Sequence, residues 1–477
     1  MWSTLEDARI RHFDWIALLA LTFFALVTRS YGLSEWPLVH DEYSTVHAAN
    51  ERYTSLINPA YYTLVVGSFN LFGISEWSAR LPAMLLGVLS VPIFYLTWRN
   101  VLGRNVALIG ALFIIFSSWH LWYSQFSRFY TGVFLFGSLS YYFYYQAIRS
   151  DSLRYLVWAI LANIAAILFH LTSVMVPASC ALFSLIILFS RKGIKAGYSR
   201  RIAATHIAIC SLAGLISLSF LWQIAVRRME HAGGVTWGDG AGEMILNITR
   251  HIQLPIAVSA FFGMLLLLRK DIFKGLFFMI GIGMPIIFVV VCAIFLNSRS
   301  VYMFYAFPLL LILAAYLCEQ AMQALSNYGV ASYAFAILLI ILLLPETISH
   351  YTGRKSLDIR EAVEFVEKAY RPNDIVLAFP WEFTHYAGGK FYMVPRPGSP
   401  RVSKVAWKEE LQLYTDKAER MWIILESFRA PYAKELESWL MHNALLVWRK
   451  YEQRIDYAVR GYEIYLVNSS KKISSIP

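Results

Sequence analysis

Two adjacent carboxylates, Asp41-Glu42 in Trp36-Pro-Leu-Val-His-Asp-Glu-Tyr43, follow the first long apolar run of the chain. A carboxylate placed there can take the proton of a hydroxyl, a general-base contribution worth about 10²–10⁴-fold in rate. Arg80, Arg128, Arg227, Arg228 and Arg299 stand at the ends of other apolar runs. Guanidinium groups stabilise a departing phosphate through directed N–H donors. Together these residue types suit inverting transfer of a sugar from an anionic, lipid-linked donor to an acceptor hydroxyl. Asp41 is then the base, Glu42 its orienting neighbour, and the arginines the phosphate clamp. Each also has a structural alternative: the acid pair can cap a helix, and Arg80 and Arg128 can snorkel to headgroups.

The elements that must position these groups are set by composition. Of 477 residues, 58% are hydrophobic and 15% charged, and the mean hydropathy is +0.50. These values exclude an ordinary water-soluble globule and indicate a polytopic α-helical membrane protein. The net charge of +11 does not point to nucleic acid, because most clustered Lys and Arg flank apolar runs, as the positive-inside bias requires.

Spanning runs of roughly 20 residues lie near 13–31, 80–98, 105–121, 128–148, 154–170, 171–190, 202–222, 251–268, 275–296, 301–321 and 329–346. With the N-terminus inside, the connections holding Arg99 and Arg104, Arg149 and Arg154, Arg191 to Arg201, and Arg269 to Lys274 all fall inside. The first run lacks a small-residue cleavage site and reads as a retained span. The apolar stretch 59–72 is too short to span and, with 41–53, predicts juxtamembrane helices in a first outer loop, 32–79. Other outer elements are the turn Gln125–Arg128, the glycine-containing loop 223–250 and the turn Asn297–Ser300. Arg227, Arg228 and His231 make that loop a candidate substrate gate.

The spans, 1–346, form the expected catalytic domain. From 347 to 477 the composition becomes mixed and polar, predicting a soluble extracytoplasmic α/β domain, with helices near 356–370 and 430–443 and strands near 374–379, 420–425 and 462–467. Cys180, Cys210, Cys292 and Cys318 lie inside apolar segments and have neither disulfide nor thiolate-metal spacing. His170 and His231 read as structural or gating residues rather than ligands. No metal is assigned, since no ligand cluster is evident.

Several segments, in this order, carry a family likeness: His40-Asp41-Glu42; Asn58-Pro-Ala-Tyr-Tyr62; Ser75-Glu-Trp-Ser-Ala-Arg-Leu-Pro82; Gly87-Val-Leu-Ser-Val-Pro92; and Trp122-Tyr-Ser-Gln-Phe-Ser-Arg-Phe-Tyr130. Over roughly residues 10–310 the chain resembles GT-C class membrane glycosyltransferases, in particular the prokaryotic dolichyl-phosphate-mannose protein mannosyltransferase and lipid A aminoarabinose transferase (PMT-like) family. The resemblance implies an undecaprenyl- or dolichyl-phosphate sugar as donor and reaction at the outer face. It matches Asp41 to the family's base, Glu42 to its neighbour, and Arg128 to the arginine of its Ser-Gln-x-x-Arg segment. Arg299 and Tyr302 match, more loosely, a late Arg-x-x-Tyr contact to the lipid phosphate. Relatives usually carry Glu where this chain has Phe126. A second acid is therefore missing there, and either the first-loop pair works alone or Glu76, Glu230, Asp239 or Glu243 stands in. A divalent metal stays open, and no other cofactor is implied.

The expectation is thus a hexosyl- or pentosyltransferase of the cytoplasmic membrane, with about eleven transmembrane helices and a polyprenyl-phosphate sugar donor. Its active site and C-terminal domain face outward, Arg80 joins the phosphate-binding set, and the acceptor is a glycan, lipid or protein. A transporter or flippase predicts charges near mid-membrane and inverted repeats, neither of which is evident. A non-catalytic glycan-binding scaffold is the other alternative, kept open by Phe126.

Overall fold

The computed structural model describes residues 12–50, 58–232, 240–295, 298–352, 358–394, 411, 413–414, 418–426, 433–453 and 459–468. The chain divides into two compact units. One comprises Met1–Leu33 and Ala48–Ser349, the other Ser34–His47 and His350–Pro477.

The first unit is helical because a chain in lipid must satisfy its own peptide groups. Its helices are α1 (His12–Ser30), α3 (Pro59–Phe72), α4 (Glu76–Leu102), α5 (Arg104–Phe116), α6 (Ser118–Ser124), α7 (Tyr130–Ser150), α8 (Leu153–Phe169), α9 (Met175–Phe189), α10 (Arg200–Ala232), α11 (Ala241–Ile252), α12 (Leu254–Lys270), α13 (Ile272–Phe295), α14 (Phe307–Ala324) and α15 (Ala334–Thr352). Helix α2 (His40–Asn50) belongs to the second unit up to His47.

Helix α1 shows how the bundle is turned toward lipid. Asp14, Ala17, Leu21, Ala25 and Arg29 are buried at helical spacing, while Trp15, Ile16, Leu19 and Phe23 are exposed. An outer face more apolar than the buried one would be a liability in water. In a bilayer it is the lipid-facing surface.

The buried polar residues at the two ends of α1 each have partners. The Asp14 carboxylate accepts from Tyr95 Oη at 2.6 Å and pairs with Arg99 at 2.8 Å and Arg104 at 3.2 Å. Removing one member of a buried charge cluster leaves the others uncompensated, so Asp14→Ala is expected to destabilise the protein by about 3–5 kcal/mol. Thermal unfolding in detergent reads this; an unchanged transition would show that the cluster is dispensable.

Each of the eleven apolar runs carries helix. Among the described residues, however, seven helices are long and apolar enough to cross a membrane, or nine if each of two bent pairs is one span. Helix α8 has only 17 residues. Helix α7 is long enough but rich in tyrosine, and its Tyr141, Tyr144 and Tyr145 are buried. A helix enclosed by others can be this polar because little of it meets lipid.

The expected gate loop 223–250 is corrected. Gln223 to Ala232 continues α10, and α11 begins at Ala241, since Gln, Ala, Arg, Met and Glu favour helix and no Gly or Pro interrupts them before Gly233.

In the second unit, β1 (Ile375–Ala378), β2 (Arg420–Glu426), β3 (Leu445–Gln453) and β4 (Val459–Asn468) form one sheet in the order β1-β2-β4-β3. The β1-β2 pair is parallel and the others antiparallel. Alternation sends Val376, Trp422 and Ile424 to one face, with α16 (Ile359–Ala369) and α17 (Trp381–Ala387). Leu377, Met421 and Ile423 go to the other face, with Leu436 and Leu440 of α18 (Ala433–Asn443). Side chains two apart sharing a face is what a strand requires. Strand β3 and helix α17 were not anticipated.

Candidate functional site

The cation cluster begins at a break in the bundle. Ser117 ends α5, and α6 leaves it at 62°, with the Ser117 hydroxyl accepting from the His120 N–H at 3.2 Å. A helix end leaves carbonyls without intrahelical partners. Fully buried Arg29 supplies them, donating to Ile114 O at 2.7 Å and Ile115 O at 3.2 Å, and it also donates to His120 Nδ1 at 3.2 Å. Gln125 then donates to the carbonyls of Arg29 and Tyr31 at 3.0 and 2.7 Å. The expected turn after Gln125 is present and is anchored at its start to the end of α1.

That turn presents Arg128. Its guanidinium carbon lies 5.1 Å from the Phe129 ring centroid, a cation–π contact. Phe129 stacks in turn on His170, at 4.6 Å and 15°, and His170 lies 5.0 Å from Tyr302. Ser127 donates to Ala79 O at 2.7 Å, fastening the turn to the first turn of α4.

His170, read from the sequence as a structural or gating residue, packs beside this turn. It sits in extended backbone between α8 and the turn Leu171–Val174. Its Nδ1 is 2.6 Å from Thr172 Oγ1, and Thr172 donates to Tyr302 O at 3.1 Å. A threonine hydroxyl has one proton to give. Since that proton goes to the carbonyl, Nδ1 is the donor to Thr172.

Arg299 and Tyr302 arrive from the connection between α13 and α14. Arg299 is half-buried and extended, followed by the tight turn Ser300–Ala306, and its carbonyl accepts from Tyr302 N–H at 3.0 Å. Met303 to Ala306 are fully buried. Close approach to α7 requires Gly137, where a Cβ would lie 2.6 Å from Tyr305 Cβ. Ser300 Oγ lies 3.1 Å from His251 Nδ1. The structure brings Arg128, Arg299, Tyr302 and Tyr123 within electrostatic reach of the Tyr130 hydroxyl.

The acid pair is divided by the structure of its own helix. Glu42 is 1% exposed and accepts from Val39 N–H at 3.1 Å. A glutamate three residues into a helix that reaches back to the cap N–H is half of a capping box. Asp41 is half-buried, and its carbonyl accepts from Thr45 Oγ1 at 3.2 Å. Of the two carboxylates, Glu42 holds the helix start.

Arg80 is 3% exposed and donates to Leu33 O at 2.9 Å. Arg227, Arg228 and His231 lie in the last turns of α10, and their side chains fall outside the described residues, as does Glu230; Asp239 is outside entirely. Phe126 packs on Trp122 and Tyr123. Glu76 and Glu243 occupy the first turns of α4 and α11, where the helix dipole favours them. Among the described residues no three His, Cys, Asp or Glu side chains are grouped to hold a metal ion.

Comparison with known proteins adds the frame. The family model described as dolichyl-phosphate-mannose-protein mannosyltransferase matches residues 58–222. No curated protein matches by sequence. The crystal structure of ArnT from Cupriavidus metallidurans bound to undecaprenyl phosphate superimposes with a TM-score of 0.61 at 13% identity, covering 98% of this chain and 100% of that one. The archaeal oligosaccharyltransferase AglB from Archaeoglobus fulgidus gives 0.56 at 11%, covering 86% and 69%. The mycobacterial arabinofuranosyltransferase AftD gives 0.52 at 14%, covering 96% of this chain and 40% of that one. The chain therefore shares its fold with these membrane glycosyltransferase structures. The family-model match takes in Arg80, Arg128, Tyr130 and His170, while Arg299 and Tyr302 lie beyond it.

Proposed function

We propose that this GT-C protein transfers a sugar from a polyprenyl-phosphate donor to an acceptor hydroxyl, with inversion. The observation that supports this most is that Arg128 and Arg299 both lie within electrostatic range of Tyr130, with Arg128 over Phe129 and both Phe129 and Tyr302 packed on His170. Cations gathered there can bind a phosphate whose lipid tail stays in the bilayer. Undecaprenyl phosphate, held by the Cupriavidus ArnT structure, is carried over as the donor's lipid class.

In the reaction, Asp41 accepts the acceptor proton as the oxygen attacks the anomeric carbon. The bond from that carbon to the phosphate oxygen breaks, and polyprenyl phosphate leaves with its new charge opposed by the guanidiniums of Arg128 and Arg299. Glu42 fixes the helix that carries Asp41. With α7 and α8 counted beside the nine other candidate spans, the chain crosses the membrane eleven times in this reading, and the acid loop and the C-terminal unit face the extracytoplasmic side.

The test is transfer in proteoliposomes, using undecaprenyl-phosphate pentoses and hexoses with labelled sugar and a cell-envelope fraction as acceptor. Label entering the acceptor, with release of undecaprenyl phosphate, is the expected result. Absence of transfer from every donor would overturn the proposal.

A further inference from the structure

Residues 34–47, which carry Asp41 and Glu42, group with the C-terminal unit and not with the helical bundle. Two anchors from separate helices hold them. The Leu38 N–H donates to the Tyr386 hydroxyl at 2.7 Å, and Arg360 Nη2 donates to the Glu35 carbonyl at 3.0 Å. Arg360 is itself fixed: Nε lies 2.8 and 3.0 Å from the two Asp358 oxygens, and Nη2 lies 2.7 Å from Oδ2. Asp358 in turn caps α16 by accepting from Arg360 N–H at 3.0 Å. The Tyr43 ring meets His385 edge-on at 5.5 Å, and Leu38 and Val46 are 3% exposed.

The helices behind these anchors are rigidly seated. Ile359 and Val363 of α16 and Phe383 and Ala387 of α17 are buried in one cluster with Val376 and Trp422 of the sheet. The lead-in to the acid helix therefore takes its backbone hydrogen bonds from groups fixed to a packed sheet. A loop tied only by its covalent ends would leave the Leu38 N–H and Glu35 carbonyl to water.

We infer that the C-terminal unit is a positioning device for Asp41, with Arg360 and Tyr386 as positioning residues for the proposed transfer. The inference rests on the glycosyl-transfer reading for its catalytic consequence, while the anchoring can be measured without it. A displacement of about 1 Å in a reacting group can cost about 10²-fold in rate, so slackening two hydrogen bonds that aim the helix acts on kcat before it acts on donor binding.

The experiment uses the full chain in lipid nanodiscs, comparing wild type, Arg360→Ala, Arg360→Lys and Tyr386→Phe. Hydrogen exchange in peptides covering 34–47 is expected to rise on the order of 10-fold in Arg360→Ala and Tyr386→Phe, with peptides of α4 and α7 unchanged. With labelled undecaprenyl-phosphate sugar, kcat falls by about 10²-fold at a wild-type donor KM. Arg360→Lys, which keeps a donor for Glu35 O, recovers part of both. Tyr386→Phe removes one oxygen and serves if Arg360→Ala does not fold. Unchanged exchange in 34–47 overturns the anchoring, and raised exchange with wild-type kcat overturns the positioning role. A wild type inactive with every donor, while exchange still responds, overturns the transfer reading alone.

Discussion

Asp41→Asn is expected to lower sugar transfer by about 10²–10⁴-fold, the value of a general base, with donor KM near wild type. The substitution keeps the shape of the side chain and leaves intact both the Thr45 hydrogen bond to the Asp41 carbonyl and the Glu42 cap on Val39. Structural loss is thus separated from chemical loss. Glu42→Gln provides the contrast, because a glutamine oxygen can still accept the Val39 N–H. Its activity should stay within about an order of magnitude of wild type, since it loses the charge but not the cap. Steady-state rates with labelled donor decide the matter. Undiminished transfer by Asp41→Asn would remove Asp41 as base, and a loss confined to Glu42→Gln would exchange the roles.

Arg128→Ala should cost about 10²–10³-fold in kcat/KM, the usual range for removing one group that stabilises developing charge. The guanidinium lies over Phe129, which is stacked on His170, so a packed ring pair supports it before any ligand arrives. Lysine carries the charge but not the planar fork or the stacking. Arg128→Lys should therefore recover only part of the loss. Inhibition by free undecaprenyl phosphate separates a phosphate contact from a packing role: the inhibition constant should rise with Arg128→Ala by on the order of 10-fold or more. A variant that binds undecaprenyl phosphate as tightly as wild type would place Arg128 outside the clamp.

Much of the fold was legible because lipid imposes a simple rule. Backbone groups in hydrocarbon must pair within their own segment, so each apolar run had to carry helix. The 14-residue stretch Pro59–Phe72 emerged as the short helix its length demanded. Strands β1, β2 and β4 were visible as β-branched and aromatic runs between turn residues. Strand β3 was hidden by Arg449, Lys450 and Glu452, whose polarity masked its alternation. The end of α10 is not legible from hydropathy because charged residues after an apolar run resemble a loop, although their helix propensity is high.

The sequence by itself determined a polytopic membrane chain, placed its charged candidates at the ends of apolar runs, and marked Asp41, Glu42, Arg128 and Arg299 as the residues with chemistry to offer. Tertiary structure alone decided which neighbours each of them meets. Glu42 holds a cap and Arg80 donates to Leu33 O, whereas Arg128 and Arg299 both lie within electrostatic range of Tyr130, and Phe129 beside Arg128 stacks on His170. The link from Thr172 to Tyr302 spans 130 residues, and the anchors on Glu35 and Leu38 span more than 300. Hydropathy and local spacing report each residue's preference for lipid or water and its immediate neighbours. They carry no information on which distant carbonyl a hydroxyl or guanidinium will find, because that is settled only when whole helices pack.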